Sequence, residues 1–254
     1  GNVRGIGFVD SDLYIVQSLS ALIADSSHQA QTHLLKIPLA KKHRDAEGYN
    51  THLDRRLATD LDTTVAAPQI TLDYALREGE YPHIVTRDGV VLGTQHNLTI
   101  SDTAVVGGKH KTYLKFTNGL VSGASGAAVP VYVGTPYTMK YTFSEQIFKA
   151  QGGEQASPTN SGRMLVRNGS LFFSDTSHFV VKVTPNLRTT SKSEFNASIV
   201  NATLEGAMPL ESNSFRFPVF TDPKGTVITV ENASSGPCNL QSAEFESFIH
   251  QRSS

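Results

Sequence analysis

Acidic side chains are the residues of this sequence that could carry out chemistry. A glycosidase needs two carboxyl groups facing each other across a cleft. The second half of the chain offers Glu145, Asp175, Glu194, Glu205 and Glu211. Their spacing does not show whether any two converge. No serine lies in a G-x-S-x-G turn, and the closest approach, residues 123–126, lacks the spacing that positions a hydrolase nucleophile.

Metal-binding and nucleophilic groups are equally sparse. Four histidines near the start, His28, His33, His43 and His52, match no zinc-ligand spacing. The D-x-D pattern at 10–12 lacks the further acidic ligands of a calcium loop, so it predicts a turn before a strand. The single cysteine, Cys238, excludes an intrachain disulfide and favours a buried small residue over a nucleophile. The sequence therefore predicts no cofactor, no metal and no enzyme activity.

The stretch 36–56 is the most basic part of the chain, with six basic against three acidic residues. A surface that meets phosphate or an acidic partner is one interpretation. A solvated loop, or salt bridges at an interface, is the other. The candidate basic surface consists of Lys41, Lys42, Arg44, Arg55 and Arg56.

The elements that would position these groups are strands joined by tight turns. Asp88-Gly89, Asn118-Gly119 and Asn168-Gly169 each separate two strand-like runs. Such pairs supply the positive φ angles of type I′ turns, so three hairpins are predicted. Further strands are predicted at 179–184, 226–230 and 215–220, where Pro218 indicates an edge or a bulge.

These patterns predict an all-β fold of antiparallel sheets with hairpins and little helix, built as two packed β-domains. The domains are expected at 1–130 and 131–254, with loops at 119–128 and 150–162. Residues 240–250 fit either a closing strand or a short helix.

Composition limits the function. The 254 residues are 39% apolar and 18% charged, which supports a packed core, and the net charge of −1 lacks the basic excess of a dedicated nucleic-acid binder. The single cysteine fits folding in a reducing cytosol. No apolar run approaches the length of a membrane span, and no signal peptide is visible. Because the chain starts at Gly1 without methionine, we expect a fragment or a processed product.

Three segments carry a family resemblance. Residues 133–149 (VGTPYTMKYTFSEQIFK), 161–185 (SGRMLVRNGSLFFSDTSHFVVKVTP) and 215–252 occur in this order, with a shorter match at 52–54. They resemble the tail nozzle proteins, or tail tubular protein B, of short-tailed bacterial viruses. The sequence departs from the family at Phe245, where members often carry tryptophan, but an aromatic side chain is kept. Since members of the family are longer, the resemblance implies a C-terminal portion.

The resemblance implies a structural protein of the virion tail, synthesised in the bacterial host cytoplasm. It implies a homo-oligomer, a ring of six subunits, next to the adaptor ring of tail tubular protein A. The tube would retain and then conduct viral double-stranded DNA without binding it tightly, and it would help to hold tail fibres. Internal ejection proteins are a further expected partner. The residues expected to form the wall of this tube and the interfaces between its subunits are Pro136, Tyr137, Tyr141, Phe143, Arg163, Arg167, Asp175 and Phe245.

One alternative from a different class is a tail module that binds or degrades carbohydrate on the host surface. It would need two facing carboxylates or a shallow aromatic groove. The absence of tryptophan weakens this alternative, because tryptophan is the aromatic best suited to such stacking.

Overall fold

The computed structural model describes residues 2–21, 29–39, 51–62, 68–74, 76, 80–87, 89–102, 111–117, 128–146, 162–200 and 208–251. These residues form five sheets in which every paired strand is antiparallel, so the predicted all-β class is confirmed. The elements are β1 Asn2–Val9, β2 Asp12–Ala21, β3 Gln29–Pro38, β4 Asp54–Asp62, β5 Gln69–Leu72, β6 His83–Thr86, β7 Val91–Gly93, β8 Leu98–Asp102, β9 Thr112–Phe116, β10 Ala128–Thr135, β11 Met139–Thr142, β12 Gly162–Thr176, β13 His178–Thr184, β14 Ser191–Asn196, α1 Ala197–Val200, β15 Glu211–Thr221, β16 Val227–Asn232 and β17 Asn239–Gln251.

The described residues fall into two compact units, one reaching Tyr137 and the other starting at Thr138. Strand β10 therefore belongs with the first unit, where it pairs with β4 and β6. The assignment of separate roles to 1–130 and 131–254 stays a prediction.

The first unit contains three sheets. Their strand orders are β1-β2-β3, β4-β10-β6-β7 and β5-β9-β8. The last two sheets share one buried apolar cluster, to which Leu61 and Val131 contribute from one sheet and Leu72 and Leu114 from the other. Burying such a side chain stabilises the fold by about 1.5–3 kcal/mol relative to leaving it in water. This cluster is the core of the first unit.

The second unit contains the sheets β11-β16-β13-β14 and β15-β12-β17. Strand β13 alternates buried and half-buried positions, and Phe179, Val181 and Val183 point to the core. The rings of Phe179 and Phe195 stack with their centroids 5.1 Å apart, and Phe173 of the other sheet meets Phe179 edge-on at 5.3 Å. Aromatic side chains from both sheets thus fill the core of the second unit.

Two predicted turns lie where they were expected. Asp10 has a φ of 54° between β1 and β2, in keeping with a turn before a strand. Gly89 has a φ of 88°, and its N–H donates to the Thr86 carbonyl at 3.0 Å between β6 and β7. Asp88 itself, and the Asn118-Gly119 pair, lie outside the described residues.

The hairpin predicted at Asn168-Gly169 is wrong. Strand β12 runs without a break from Gly162 to Thr176 and pairs with β15 on one side and β17 on the other. A central strand with partners on both edges has no room to reverse at its middle. Gly169 instead leaves space for a neighbouring ring, which a pattern of turn residues does not reveal.

Other predictions have clear outcomes. Residues 240–250 form a strand, because β17 pairs along β12. Pro218 lies in β15, an edge strand of its sheet, opposite Asn168 and next to a register irregularity. The described helix α1 has four residues, so no helix in the described ranges has the length and apolar character to cross a membrane. The loops predicted at 119–128 and 150–162 lie almost entirely outside the described residues.

Candidate structural interface

A chain of four aromatic rings leads from the surface of the second unit to its core. Tyr141 meets Phe143 edge-on with centroids 5.0 Å apart, and Phe143 meets Phe245 edge-on at 5.5 Å. Phe245 in turn lies 6.4 Å from Phe217. Tyr141 is 53% exposed, whereas Phe217 is buried. The structure thus brings together three residues singled out from the sequence, 141, 143 and 245.

The strands explain why these rings meet. Tyr141 of β11 is paired with Val230 of β16, and the Phe143 N–H donates to the Ile228 carbonyl at 2.9 Å. Gly169 of β12 is paired with Phe217 on one side and with Phe245 on the other. Edge-to-face ring pairs contribute roughly 0.5–1.5 kcal/mol beyond their buried area. These four rings, which we call the aromatic row, therefore connect the edge strand β11 to the opposite sheet.

A cluster of charged and polar groups crosses the β15-β12-β17 sheet on its solvent side. Glu246 accepts hydrogen bonds from Arg216 Nη2 at 2.7 Å, Asn168 Nδ2 at 3.2 Å and Arg167 Nη1 at 3.5 Å. The hydrogen bond from Asn168, together with the charges of Arg167 and Arg216, holds the pKa of Glu246 below its usual value. Arg167 also lies 5.8 Å from the centroid of the Phe248 ring. The predicted residue Arg167 therefore links two strands at the surface.

Asp175 marks the end of the long strand β12. It has a φ of 45°, and its N–H donates to Ser212 Oγ at 2.9 Å while its carbonyl accepts from Asn239 Nδ2 at 3.2 Å. Neighbouring Thr176 accepts a hydrogen bond from the Asn239 N–H at 3.0 Å. The chain turns here from one sheet of the second unit to the other, and these bonds satisfy the backbone at the bend.

Pro136 and Tyr137 follow strand β10. Pro136 is half-buried, and the Tyr137 hydroxyl lies 3.4 Å from His52 Nδ1. Burial, followed by the nearby Asp54 carboxylate, raises the pKa of Tyr137. Arg163 pairs with His250 through the β12–β17 ladder, and its side chain lies outside the described part of the chain.

The candidate basic surface is only partly described, since Lys41, Lys42 and Arg44 lie outside the described residues. Arg55 forms an ion pair with Glu80, lies 4.7 Å from the Tyr74 ring centroid, and has a side chain that is only 11% exposed. Thr135 Oγ1 donates to the same Glu80 carboxylate at 2.6 Å. Arg55 therefore forms its ion pair within the first unit, and the role of the stretch 36–56 stays a prediction.

Arg56 is held on the other face of the same sheet. Its Nη1 donates to the Thr51 carbonyl at 2.8 Å, and its guanidinium lies 5.0 Å from the Tyr132 ring centroid. The two successive arginines of β4 thus contact other residues on opposite faces of the sheet.

The described side chains offer little for catalysis. Within the described ranges, no three metal-ligating side chains come together. A hollow is lined by Phe143, Val166 and Ile228, among others, and Glu145 is the one acidic side chain among its described lining residues, so these residues place no carboxylate pair across it. Burial raises the pKa of the Cys238 thiol to about 12, which makes it a poor nucleophile.

A protein with this architecture belongs to the class of all-β scaffolds, in which polar and aromatic side chains connect strands. The comparison with protein families identifies it more closely. A family model described as bacteriophage nozzle protein matches residues 2–254, and the chain belongs to that family. The resemblance read from the three sequence segments is therefore confirmed. The chain is a structural component of the phage tail, made in the host cell. A comparison with curated proteins finds no match.

Proposed function

We propose that this chain forms part of the wall of a tubular tail nozzle that retains the viral genome and then conducts it during ejection. The family match across 2–254 is the observation that carries the proposal. Two units with separate apolar cores support it, because each offers a self-supporting block from which a wall can be built.

The wall is a closed ring of six copies of the chain. A cyclic ring requires head-to-tail interfaces, in which one surface of a subunit meets a different surface of the next. Antiparallel sheets suit such a wall, since one face packs a core while the other is free to meet solvent or a neighbour. Tyr141, half exposed at the outer end of the aromatic row, is a residue that a neighbour would contact.

DNA passes through the tube without tight binding. Each phosphate that a protein neutralises adds salt-dependent affinity, which would hold the genome back. The chain has a net charge of −1, and Arg55, Arg167 and Arg216 all lie within reach of a carboxylate. Binding of duplex DNA measured at two salt concentrations should be weak and independent of sequence. A nanomolar, salt-sensitive complex would contradict a conduit.

The partners of the ring are the adaptor ring above it, the tail fibres on its outside and, during ejection, internal proteins of the virion. Membership of a tail-protein family supports assembly with other tail components. Electron microscopy of the chain mixed with its adaptor ring tests the proposal directly. We expect a six-fold tube; persistent monomers in the presence of the adaptor would reject it.

A further inference from the structure

Two turns meet at one end of the second unit. Residues 185–190 join β13 to β14, and residues 222–226 join β15 to β16. Strands β13 and β16, which one turn follows and the other precedes, are neighbours in their sheet. A Cβ atom added at Gly225 would lie 3.3 Å from Asn186 Cβ, so the two turns touch each other. What we call the loop end consists of these turns and the strand residues next to them, 185–192 and 220–227.

The loop end presents apolar side chains to solvent. Leu187, in the middle of its turn, is 98% exposed, and Phe220 and Val227 are about half exposed. A leucine that keeps almost its whole surface in water adds nothing to the core, because apolar stabilisation comes from surface that is removed from water. Its side chain projects from the turn instead.

The backbone holds two of these apolar residues in an unfavourable conformation. Leu187 has a φ of 59° and Phe220 a φ of 45°, whereas the other described residues with a positive φ that are not glycine, Asp10, Arg55 and Asp175, are polar. A positive φ is costly for a bulky residue, and glycine or asparagine adopts it more easily. Strained backbone of this kind clusters at functional sites. Stability of the fold therefore does not account for a leucine at position 187.

The charges of the loop end favour an anionic partner. Residues 185–192 and 220–227 contain the cations Arg188, Lys192 and Lys224 but one carboxylate, that of Asp222. Asp222 Oδ1 accepts the Lys224 N–H at 3.0 Å, so this carboxylate is directed into its own turn. An apolar tip with cations beside it matches a membrane surface, where apolar side chains enter the interface while lysine and arginine meet anionic headgroups.

We propose that the loop end inserts into the surface of a bilayer that contains anionic phospholipid. Leu187 and Phe220 enter the boundary between headgroups and acyl chains, and the cations beside them face the lipid phosphates. A protein partner would need a pocket shaped to the projecting Leu187, because an apolar anchor contributes to a protein interface by filling such a pocket. Lipid chains adapt to any apolar shape, so a projecting side chain suits a bilayer.

The inference goes beyond the proposed conduit and uses the ring only for the strength of binding. One loop end inserts few side chains, so a single chain binds lipid weakly. Rotation about the axis of a ring places all copies of the loop end at the same level. Several linked contacts then raise the apparent affinity by about a hundredfold or more.

A fluorescent reporter tests the contact in the chain by itself. The sequence contains no tryptophan, so Leu187→Trp introduces a single indole. With an excess of vesicles of phosphatidylethanolamine and phosphatidylglycerol, its emission should shift to the blue and be quenched by brominated lipid, since tryptophan favours the membrane interface. Leu34→Trp, at an exposed position of the first unit, should show neither change. Vesicles of phosphatidylcholine alone should give a smaller shift, and an equal shift would reject the part of the cations.

A second variant separates lipid binding from folding. Asparagine adopts the left-handed conformation more easily than leucine, so Leu187→Asn should unfold at the same urea concentration as the unchanged chain or at a higher one. Flotation of the ring, assembled with its adaptor, on the same vesicles should nevertheless fall by at least about tenfold. Leu34→Asn should leave flotation unchanged.

The outcomes distinguish this inference from the proposed function. If rings form but the emission of Leu187→Trp does not change with excess vesicles, the lipid contact is refuted while the conduit stands. If that emission shifts when the ring assembles without lipid, with the signal of the unchanged complex subtracted, a protein surface covers the loop end and the inference is wrong. If the chain forms no ring with its adaptor, the proposed function fails, and the emission of the chain alone with vesicles still decides the lipid contact.

Discussion

Gly169 lies directly beneath the ring of Phe217. A Cβ atom added at position 169 would come within 2.2 Å of Phe217 Cζ and within 2.8 Å of two further ring carbons. The two residues face each other across the β12–β15 ladder, and Phe217 is one of the largest fully buried side chains of the chain. The glycine is thus required by packing, in the middle of a strand where glycine otherwise weakens pairing.

Replacing this glycine should destabilise the second unit. Gly169→Ala forces the Phe217 ring out of its place, and overpacking of this kind costs about 1–3 kcal/mol. The free energy of unfolding from urea titrations is the measurement. Gly7→Ala is the matched control, since a Cβ at position 7 of β1 meets nothing within 4 Å.

A second substitution isolates the cause. Phe217→Leu removes the ring that clashes, so the double variant should be more stable than the sum of the two single effects predicts. Additive effects, or a Gly169→Ala protein as stable as Gly7→Ala, would show that the ring does not constrain position 169.

The aromatic row makes a prediction about Phe245. Phe245→Leu loses the edge-on contacts to both Phe143 and Phe217, so we expect a loss of about 1–3 kcal/mol in the free energy of unfolding. Phe248→Leu, three residues further along β17 and about half exposed, is the control and should cost much less. Equal losses in the two variants would show that the edge-on contacts of Phe245 add nothing to the free energy of unfolding. Phe245→Trp keeps an aromatic ring at this position and should retain the edge-on contacts.

The sequence predicted strands better than it predicted the places where strands end. Strands were predicted from the alternation in 179–184 and from the β-branched run at 226–230. Both patterns reflect burial of one face of a strand, which is a local property, and the structure has a strand at each place. The hairpin prediction at Asn168-Gly169 failed because this glycine is required by the ring of Phe217, some fifty residues away in the sequence. Tyr141, Phe143 and Phe245 were found through the family pattern, yet their contact follows only from the three-dimensional pairing of β11, β12 and β17.

The contact residues that the sequence did not single out also depend on pairing between distant parts of the chain. Glu80 and Thr135 complete the surroundings of Arg55, and Glu246 collects the contacts of Arg167. An acidic residue gives no local sign of which cation it will meet across a sheet.

The pair of Arg55 and Glu80 should matter for folding. Both side chains are nearly buried, at 11% and 13% exposure, so Glu80→Gln removes a charged carboxylate that both Arg55 and Thr135 contact in a poorly hydrated site. Loss of one partner of a buried pair costs about 3–5 kcal/mol. Thermal unfolding with a probe in the first unit measures the effect.

The control for this pair is an exposed one in the same unit. Asp12→Asn removes the carboxylate that faces Lys36, whose side chain is about half exposed. Exposed pairs contribute about 0–1 kcal/mol, so this variant should unfold almost as the unchanged protein does. Similar losses in the two variants would contradict the burial of the Arg55 pair.

The thiol of Cys238 should be protected by the fold. Its pKa is raised to about 12 from 9.0 by burial, so the reactive thiolate near pH 8 is about a thousandfold scarcer than in the unfolded chain. Iodoacetamide labelling should accordingly be slow in buffer and fast in urea. Phe8→Cys provides an exposed thiol in the same chain that should react quickly under both conditions. Equal rates at the two thiols in buffer would refute the protection.

The same shift has a consequence for stability at high pH. Between pH 9 and about 12 the folded state keeps the Cys238 proton that the unfolded chain loses, so the folded state binds more protons. The free energy of unfolding must then fall as the pH rises through this range, and the contribution is fully present below pH 9. Cys238→Ala should reduce this slope, because alanine has no proton to lose. Urea titrations of the two proteins at pH 8.5 and pH 10.5 measure the difference, and identical slopes would contradict a buried, protonated thiol.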